Sequence, residues 1–199
     1  MKRLSIFSAL IAFAACGGGE PADTAADSSA ASAPAAAPAA ASANLPGGAL
    51  MLPDWMAFDA AANTVHITLT AGSTNTNNYW NFNGATKGNM AITVPVGATV
   101  TIDLVNSDPA MGHSVGVSAE TKSFGAMMDP VPVFAGAVTE NPSSMVGATM
   151  PGETDTITFT ADAAGTYTLV CYIPGHATTG MWVYFVVSAD GEAGMQGAM

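Results

Sequence analysis

The segment from Cys171 to Met181 contains three side chains that could bind a soft metal ion. Four residues separate Cys171 from His176, and four more separate His176 from Met181. The cysteine ends one stretch of strand-like sequence, and another begins directly after the methionine. A short loop between two strands would therefore bring a thiolate, an imidazole and a thioether towards one point. Thiolate and thioether sulfur together with imidazole nitrogen favour copper over harder metals.

A copper site of this type needs a further histidine from a distant part of the chain. Two imidazoles and one thiolate in a plane, with a weak axial methionine, form the blue-copper arrangement that transfers electrons. His113 follows a turn and begins a short strand, whereas His66 lies inside an alternating strand, where an exposed or strand-packed role is more common. We therefore choose His113 over His66. The sequence predicts one copper ion with four ligands: His113, Cys171, His176 and Met181.

The pattern resembles the cupredoxin family, and within it the sulfocyanin and rusticyanin branch. The resemblance rests on the Cys-x₄-His-x₄-Met spacing, on Ile-Pro-Gly-His-Ala within the loop, and on Gly-Met-Trp after it. Two upstream stretches, Asn81–Gly84 and Met90–Gly97, are also similar to sulfocyanins. The similarity extends from about Asn63 to Val187. It implies a mononuclear type 1 copper protein that carries single electrons between membrane-associated respiratory partners, such as a cytochrome c or a terminal oxidase.

The resemblance also assigns roles to residues around the ligands. It makes Cys171 the thiolate ligand, His113 and His176 the imidazole ligands, and Met181 the long axial ligand. Ser114 would bridge the two ligand loops. Electrons would enter or leave through the edge of His176, at an apolar patch near Pro174 and Gly175. Pro174 and Ser114 would lie against the ligand residues without binding the metal.

Other functions fit the sequence less well. A Gly-x-Ser-x-Gly hydrolase motif is absent. Three histidines are too few for a multicopper oxidase or a nitrite reductase, and a binuclear copper site would need a second nearby cysteine. Zinc accepts several of these ligands, but a methionine favours copper. We therefore expect an electron carrier, not an enzyme, with no small-molecule substrate. A copper buffer or metallochaperone is the alternative, and a metal-free adhesion module on a stalk is a third possibility.

The elements around these residues show a period of two, which is typical of half-buried antiparallel strands. Threonine alternates with aliphatic residues in stretches that begin near Val65, Thr99, Asp155 and Gly165. Pro- and Gly-containing turns separate them. The nearly continuous apolar run Trp182–Val187 predicts a closing strand buried on both faces. We predict an all-β Greek-key sandwich of about seven or eight strands. Only Pro53–Ala62 has a spacing compatible with a short helix.

The two ends of the chain differ from the central domain. Residues 1–16 predict a lipoprotein signal peptide: two basic residues, an apolar run, and a lipobox-like Phe-Ala-Ala-Cys that makes Cys16 the lipidated first mature residue. Residues 17–50, rich in Ala, Pro and Ser, predict a disordered tether. The cupredoxin domain is expected at 51–188. A flexible, Gly-rich tail is expected at 189–199.

Charge restricts the partners. The chain has four basic and fifteen acidic residues, for a formal net charge of −11. Such a surface excludes binding to nucleic acid through phosphates, and membrane association must come from the lipid anchor. We expect a monomer on the periplasmic or other extracytoplasmic side of a membrane. Its acidic surface favours redox partners with a basic face, and association should weaken as the salt concentration rises.

Overall fold

The structure, a computed structural model, describes residues 45–197. The predicted signal peptide, Cys16 and most of the predicted tether lie outside these residues. The described chain forms the following strands: β1 Met56–Asp59, β2 Thr64–Ala71, β3 Met90–Pro95, β4 Thr99–Asn106, β5 Gly116–Ala119, β6 Thr154–Thr160, β7 Gly165–Val170, β8 Trp182–Ser188 and β9 Gly194–Gly197. Helical structure is limited to a 3₁₀ segment, Thr76–Tyr79, and one turn of α-helix, α1, His176–Thr179. Within residues 45–197, no helix is long and apolar enough to cross a membrane.

The strands form two sheets that enclose one core. One sheet has the order β1-β2-β4-β6 and the other the order β5-β7-β8-β3-β9. Two of the neighbouring pairs are parallel, β2 with β4 and β3 with β8, and the remaining pairs are antiparallel. The prediction of an all-β sandwich is confirmed, with nine strands in residues 45–197 in place of seven or eight.

Alternation places the apolar side chains between the sheets. In β4, Val100, Ile102 and Leu104 are fully buried, while Thr101 and Asp103 between them are only half-buried on the other face. β3 is buried along its whole length and β8 almost so, because a second apolar cluster covers the outer face of their sheet. That cluster includes Tyr172, Trp182 and Tyr184, with Phe124 packed against it. Of these two strands, β8 directly follows the segment that carries Cys171, His176 and Met181.

Two segments differ from the sequence predictions. Pro53–Ala62 contains the strand β1, because Met56–Asp59 pairs antiparallel with β2 and so extends a sheet. The expectation of a flexible tail is wrong for Gly194–Gly197, which pairs with β3 and buries Met195. An antiparallel bridge joins Met195 to Met51, and the Gln196 side chain donates a hydrogen bond to the carbonyl of Pro46. Pairing with a buried strand outweighs the low strand propensity of these glycines.

Candidate metal centre

Cys171, His176 and Met181 lie on the loop that joins β7 to β8. Cys171 follows β7 directly, His176 begins α1, and Met181 immediately precedes β8. Backbone hydrogen bonds close the loop on itself: the amide of Met181 donates to the carbonyl of His176 at 2.9 Å, and the amide of Cys171 donates to the carbonyl of Met181 at 3.2 Å. All three residues are buried. The backbone alone therefore fixes the mutual spacing of these three side chains.

Two glycines allow this tight path. Gly175 has φ of 84° and Gly180 has φ of 119°, so both lie in the left-handed region at the two ends of α1. This region is accessible to glycine at little cost and is unfavourable for most other residues. A side chain at Gly180 would also collide with the aliphatic stem of Lys87. The glycines of this loop are thus required by its shape.

His113 lies on the connection between β4 and β5, which joins one sheet to the other. It forms an isolated antiparallel bridge with Thr149, with backbone hydrogen bonds of 3.0 Å in both directions. Its Nε2 lies 2.9 Å from a carboxylate oxygen of Asp108, and both residues are almost fully buried. Asp108 also accepts hydrogen bonds from the backbone amides of Ala110 and Met111. A hydrogen bond at Nε2 leaves Nδ1 as the free ligand atom of the ring.

The three predicted ligands with nitrogen or thiolate donors converge in space. The candidate ligand atoms of His113, Cys171 and His176 all lie within 4.8 Å of one another. The Sγ of Cys171 is 3.9 Å from Nδ1 of His113 and 3.6 Å from Nδ1 of His176. A metal bound to nitrogen at about 2.0 Å and to sulfur at about 2.3 Å, with angles between tetrahedral and trigonal, places these atoms about 3.5 to 3.7 Å apart. The residues therefore fit a metal ion between them.

Met181 completes the donor set on chemical grounds. It is fully buried, and its backbone is hydrogen-bonded to both other ligand residues of the loop. The set combines two imidazoles, one thiolate and one thioether, which favours copper. His66, the histidine not chosen, lies 52% exposed on β2 and pairs with Asp103 at 2.8 Å. It is not part of the cluster of possible metal ligands found in residues 45–197.

Burial keeps the cluster neutral in the absence of a metal. It raises the pKa of the Cys171 thiol to about 11. It lowers the pKa of His113 and, together with the neighbouring His113, lowers the pKa of His176 to about 4. Burial would also raise the pKa of Asp108, but hydrogen bonds from Ala110, His113 and Met111 outweigh it, so that pKa is lowered. The thiol must therefore lose a proton when a metal binds.

Ser114 lies between the two ligand loops. Its Oγ accepts a hydrogen bond from the backbone amide of Tyr172 at 2.9 Å and lies 3.7 Å from the Sγ of Cys171. The hydroxyl proton is then free to point at the sulfur. One side chain thus links the His113 segment to the Cys171 loop and can donate a weak hydrogen bond to the thiolate, as the resemblance implied.

The ring of His176, through which electrons were expected to enter or leave, is covered on all sides in the structure. His176 is fully buried, and its Nε2 has no hydrogen-bond partner among residues 45–197. The indole of Trp80 stacks on the imidazole, with ring centroids 3.9 Å apart and planes inclined by 18°. Pro174 and Gly175 are half-buried beside it. The edge of His176 is therefore covered by neighbouring residues, and passage of electrons through this ring stays a prediction.

Sequence reasoning missed two of the residues that contact the ligands, Asp108 and Trp80. For Asp108 a signal was available, since ligand histidines commonly hydrogen-bond a carboxylate and Asp108 lies only five residues before His113. For Trp80 no local signal exists. It is more than ninety residues from His176 and belongs to the connection between β2 and β3.

Comparisons with known proteins identify relatives of this chain. The model of the sulfocyanin (SoxE) domain matches residues 53–194. Sulfocyanin from Sulfolobus acidocaldarius is 31% identical over 140 residues, which are 66% of this chain and 67% of that protein. Rusticyanin from Acidithiobacillus ferrooxidans is 33% identical over 102 residues, 51% of this chain and 62% of that protein. A solved structure of the copper protein rusticyanin has 27% identity and a TM-score of 0.46, covering 68% of this chain and 88% of that one.

The family match spans more than half of the chain and includes all four predicted ligands. It confirms the resemblance to cupredoxins of the sulfocyanin and rusticyanin branch. The chain therefore belongs to the sulfocyanin family of cupredoxins.

Proposed function

We propose that this protein binds one type 1 copper ion through His113, Cys171, His176 and Met181 and carries single electrons between redox partners. The observation that carries the proposal is the buried convergence of two imidazole nitrogens on one cysteine sulfur, at 3.9 and 3.6 Å. Membership of the sulfocyanin family supports it. The bound ion would supply the chemistry by alternating between Cu(I) and Cu(II).

The protein's contribution is to hold the ligand atoms in one arrangement for both oxidation states. Asp108 fixes the ring of His113, and the hydrogen-bonded loop fixes Cys171 and Met181. Burial of all four side chains excludes water from the donor atoms. Little needs to move when an electron arrives, so the reorganisation accompanying electron transfer should be small.

Copper addition tests the proposal directly. The purified soluble domain, reduced and metal-free, should develop an intense blue thiolate-to-copper absorption with Cu(II), which ascorbate bleaches reversibly. Cys171→Ser should abolish the band, and the matched control His66→Ala should retain it. A folded, reduced protein that stays colourless would refute the carrier function. Rapid loss of the colour to a chelator would favour the copper buffer or metallochaperone.

The location and partners form part of the same proposal. Cys16 would carry a lipid, residues 17–50 would tether the domain, and the protein would act on the extracytoplasmic side of a membrane. The acidic surface favours a donor or acceptor with a basic face, such as a cytochrome c or a terminal oxidase. Replacing Cys16 by serine should release the protein from membranes into the soluble fraction. A Cys16→Ser protein that remains membrane-bound would contradict the lipid anchor.

A further inference from the structure

The route by which electrons reach the buried centre is not provided by the ligands themselves. His176, the ligand through which electrons were expected to pass, is fully buried. His113 and Cys171 are also 0% exposed, as is Met181. A partner at the surface therefore cannot contact any of the four ligand side chains. Another residue must lie between a partner and the centre.

Trp80 occupies that position at His176. Its indole is stacked on the imidazole at a centroid distance of 3.9 Å, closer than the 4.5 to 7 Å that is usual for aromatic pairs. Trp80 is itself only partly buried and packs against the main core. The ring thus contacts the ligand, while the residue itself is still partly exposed to solvent. Electronic coupling falls steeply across gaps and is better through aromatic rings in contact.

The segment before Trp80 is held in an unusual backbone conformation. Asn77, Asn78 and Tyr79 have positive φ values of 53°, 58° and 65°, which asparagine adopts more readily than most residues but which are unfavourable for the bulky tyrosine. The Asn77 side chain donates a hydrogen bond to the carbonyl of Trp80 at 2.9 Å. Such strain persists only where the surroundings enforce it, and it is frequent at functional sites.

The residue after Trp80 supplies much of that enforcement. Asn81 is fully buried, and its side-chain amide donates to the carbonyls of Thr74 and Thr76, each at 2.9 Å. The side-chain oxygen of Asn81 accepts hydrogen bonds from the backbone amide of Gly84 and from the hydroxyl of Ser73. The loop is therefore anchored around Asn81. The hydrogen bonds of Asn81 therefore hold the loop in the conformation that places Trp80 against His176.

We infer that Trp80 is the electron-exchange residue of this protein, the side chain through which an electron passes between a surface partner and His176. The inference rests on the proposed function, since it presupposes a redox-active centre. One electron leaves a one-electron reductant and reduces the oxidised centre, while the indole is neither oxidised nor reduced in the process. No proton moves, because both ring nitrogens that face this region, Nε1 of Trp80 and Nε2 of His176, are buried without a hydrogen-bond partner among the described residues.

Replacement of the indole should separate electron exchange from metal binding. The variants are Trp80→Phe, which keeps an aromatic ring, and Trp80→Leu, which keeps an apolar cover without one. The matched control is Trp55→Leu. Trp55 is a half-buried tryptophan immediately before β1, in the sheet that does not contain β7 and β8. Three quantities are measured for each copper-loaded protein: the blue absorption, the reduction potential, and the rate of reduction by the cationic outer-sphere reagent hexaammineruthenium(II).

The Trp80→Leu protein should keep the blue band and a similar potential, while its reduction is slowed by about tenfold, equivalent to about 1.4 kcal/mol in the barrier. Trp80→Phe should retain most of the wild-type rate, and Trp55→Leu all of it. If the leucine variant has lost its band, Trp80→Met fills the same space without a π system and takes its place. Reduction of the leucine or methionine variant as fast as the wild type, or faster, would overturn the inference.

A separate measurement needs no redox activity. In the metal-free, diamagnetic protein, ring current from the stacked indole should shift the ring protons of His176 upfield in the NMR spectrum. The shift should disappear in Trp80→Leu and persist in Trp55→Leu. Its absence from the wild type would show that the stack does not form in solution and would also overturn the inference. A wild-type protein that shows the stack but never turns blue would instead refute the proposed function.

Discussion

The two imidazoles of the candidate centre are held in different ways. His113 is fixed by a polar contact: its Nε2 lies 2.9 Å from Asp108, whose carboxylate is in turn hydrogen-bonded by two backbone amides. His176 is fixed by packing: the Trp80 ring covers it, and its Nε2 has no hydrogen-bond partner among residues 45–197. The two rings nevertheless lie only 5.0 Å apart, centroid to centroid.

This difference suggests that Asp108 and Trp80 have different roles at the centre. A hydrogen-bonded carboxylate sets which ring nitrogen carries the proton and so prepares the other nitrogen for the metal. An aromatic stack sets the plane of the ring and excludes water, but it leaves the proton position to be decided by the metal. The His113 side should therefore control metal affinity, and the Trp80 side should control access.

The largest expected effect concerns both imidazoles, in the metal-free protein at acid pH. The pKa values of His113 and His176 are lowered by burial from 6.5, that of His176 to about 4. Below about pH 6.5 the two imidazoles bind protons in the unfolded chain but stay neutral in the folded protein. The free energy of unfolding therefore falls as the pH falls, by up to about 1.4 kcal/mol per pH unit for each imidazole. Urea denaturation between about pH 7 and about pH 5 measures this loss.

Variants identify which ring is responsible for the acid sensitivity. His176→Gln should flatten the pH dependence of the free energy of unfolding. The exposed histidine serves as control, and His66→Ala should leave the dependence in place. A metal-free protein that is equally stable at both pH values would contradict neutral burial of the two rings.

The next effect tests the polar side alone. In Asp108→Asn, the remaining oxygen can still accept from the backbone amides, but the new amide group then donates to Nε2 of His113. That bond favours the tautomer with the proton on Nδ1, which blocks the ligand atom. Copper affinity should fall by about 10- to 100-fold. Competition with a chelator measures it.

The chain offers a matched control for this substitution. Asp103 contacts His66 at 2.8 Å in a similar carboxylate–imidazole pair on the exposed face of the sheet. Asp103→Asn should leave copper affinity unchanged. Equal losses in the two asparagine variants would mean that the effect is general and that Asp108 does not direct the tautomer of His113.

A smaller effect is expected at the bridge between the two sides. Ser114→Ala removes a proton donor near the Cys171 sulfur, 3.7 Å away, and leaves the amide of Tyr172 without its acceptor. A more electron-rich thiolate favours Cu(II), so the reduction potential should fall by about 40 mV, equivalent to one hydrogen bond of about 1 kcal/mol. Redox titration checks the direction. Ser188→Ala, at the distant end of β8, should not change the potential.

The smallest effect is expected on the packed side. Trp80→Phe removes no hydrogen bond from His176 and keeps an aromatic cover, so copper affinity should fall by less than about tenfold, the lower limit expected for loss of a polar partner. The same chelator competition applies. A loss as large as that of Asp108→Asn would remove the distinction between the polar and the packed side.

The ligand loop could be predicted from the sequence because its chemistry is local. Cys171, His176 and Met181 lie within eleven residues, and the alternating strands on either side are visible in the sequence. His113 could be chosen over His66 because a turn precedes it. The stack of Trp80 on His176 could not be predicted, since it depends on how the β2 to β3 connection folds around Asn81. Its positive φ values occur at asparagines and a tyrosine, which carry no unique turn signal.

The C-terminal strand illustrates the same limit. Gly194–Gly197 contains one strongly apolar residue, Met195, and a period cannot be read from so short a segment. Its strand conformation follows from the available partner, β3, which would otherwise lack a neighbour on that side. Long-range pairing of this kind is decided by tertiary structure, whereas the strands with alternating threonines are indicated by their own sequence.

The position of β9 also affects solubility. β3, Met90–Pro95, has no charged residue and is buried along its length, and β9 is the strand that covers its outer side. An apolar strand with free backbone donors and acceptors is a template for pairing with another molecule. By pairing with β3, Gly194–Gly197 should therefore reduce aggregation through that edge. Shortening the chain before Gly194 would leave this edge of β3 unpaired and should promote self-association through it.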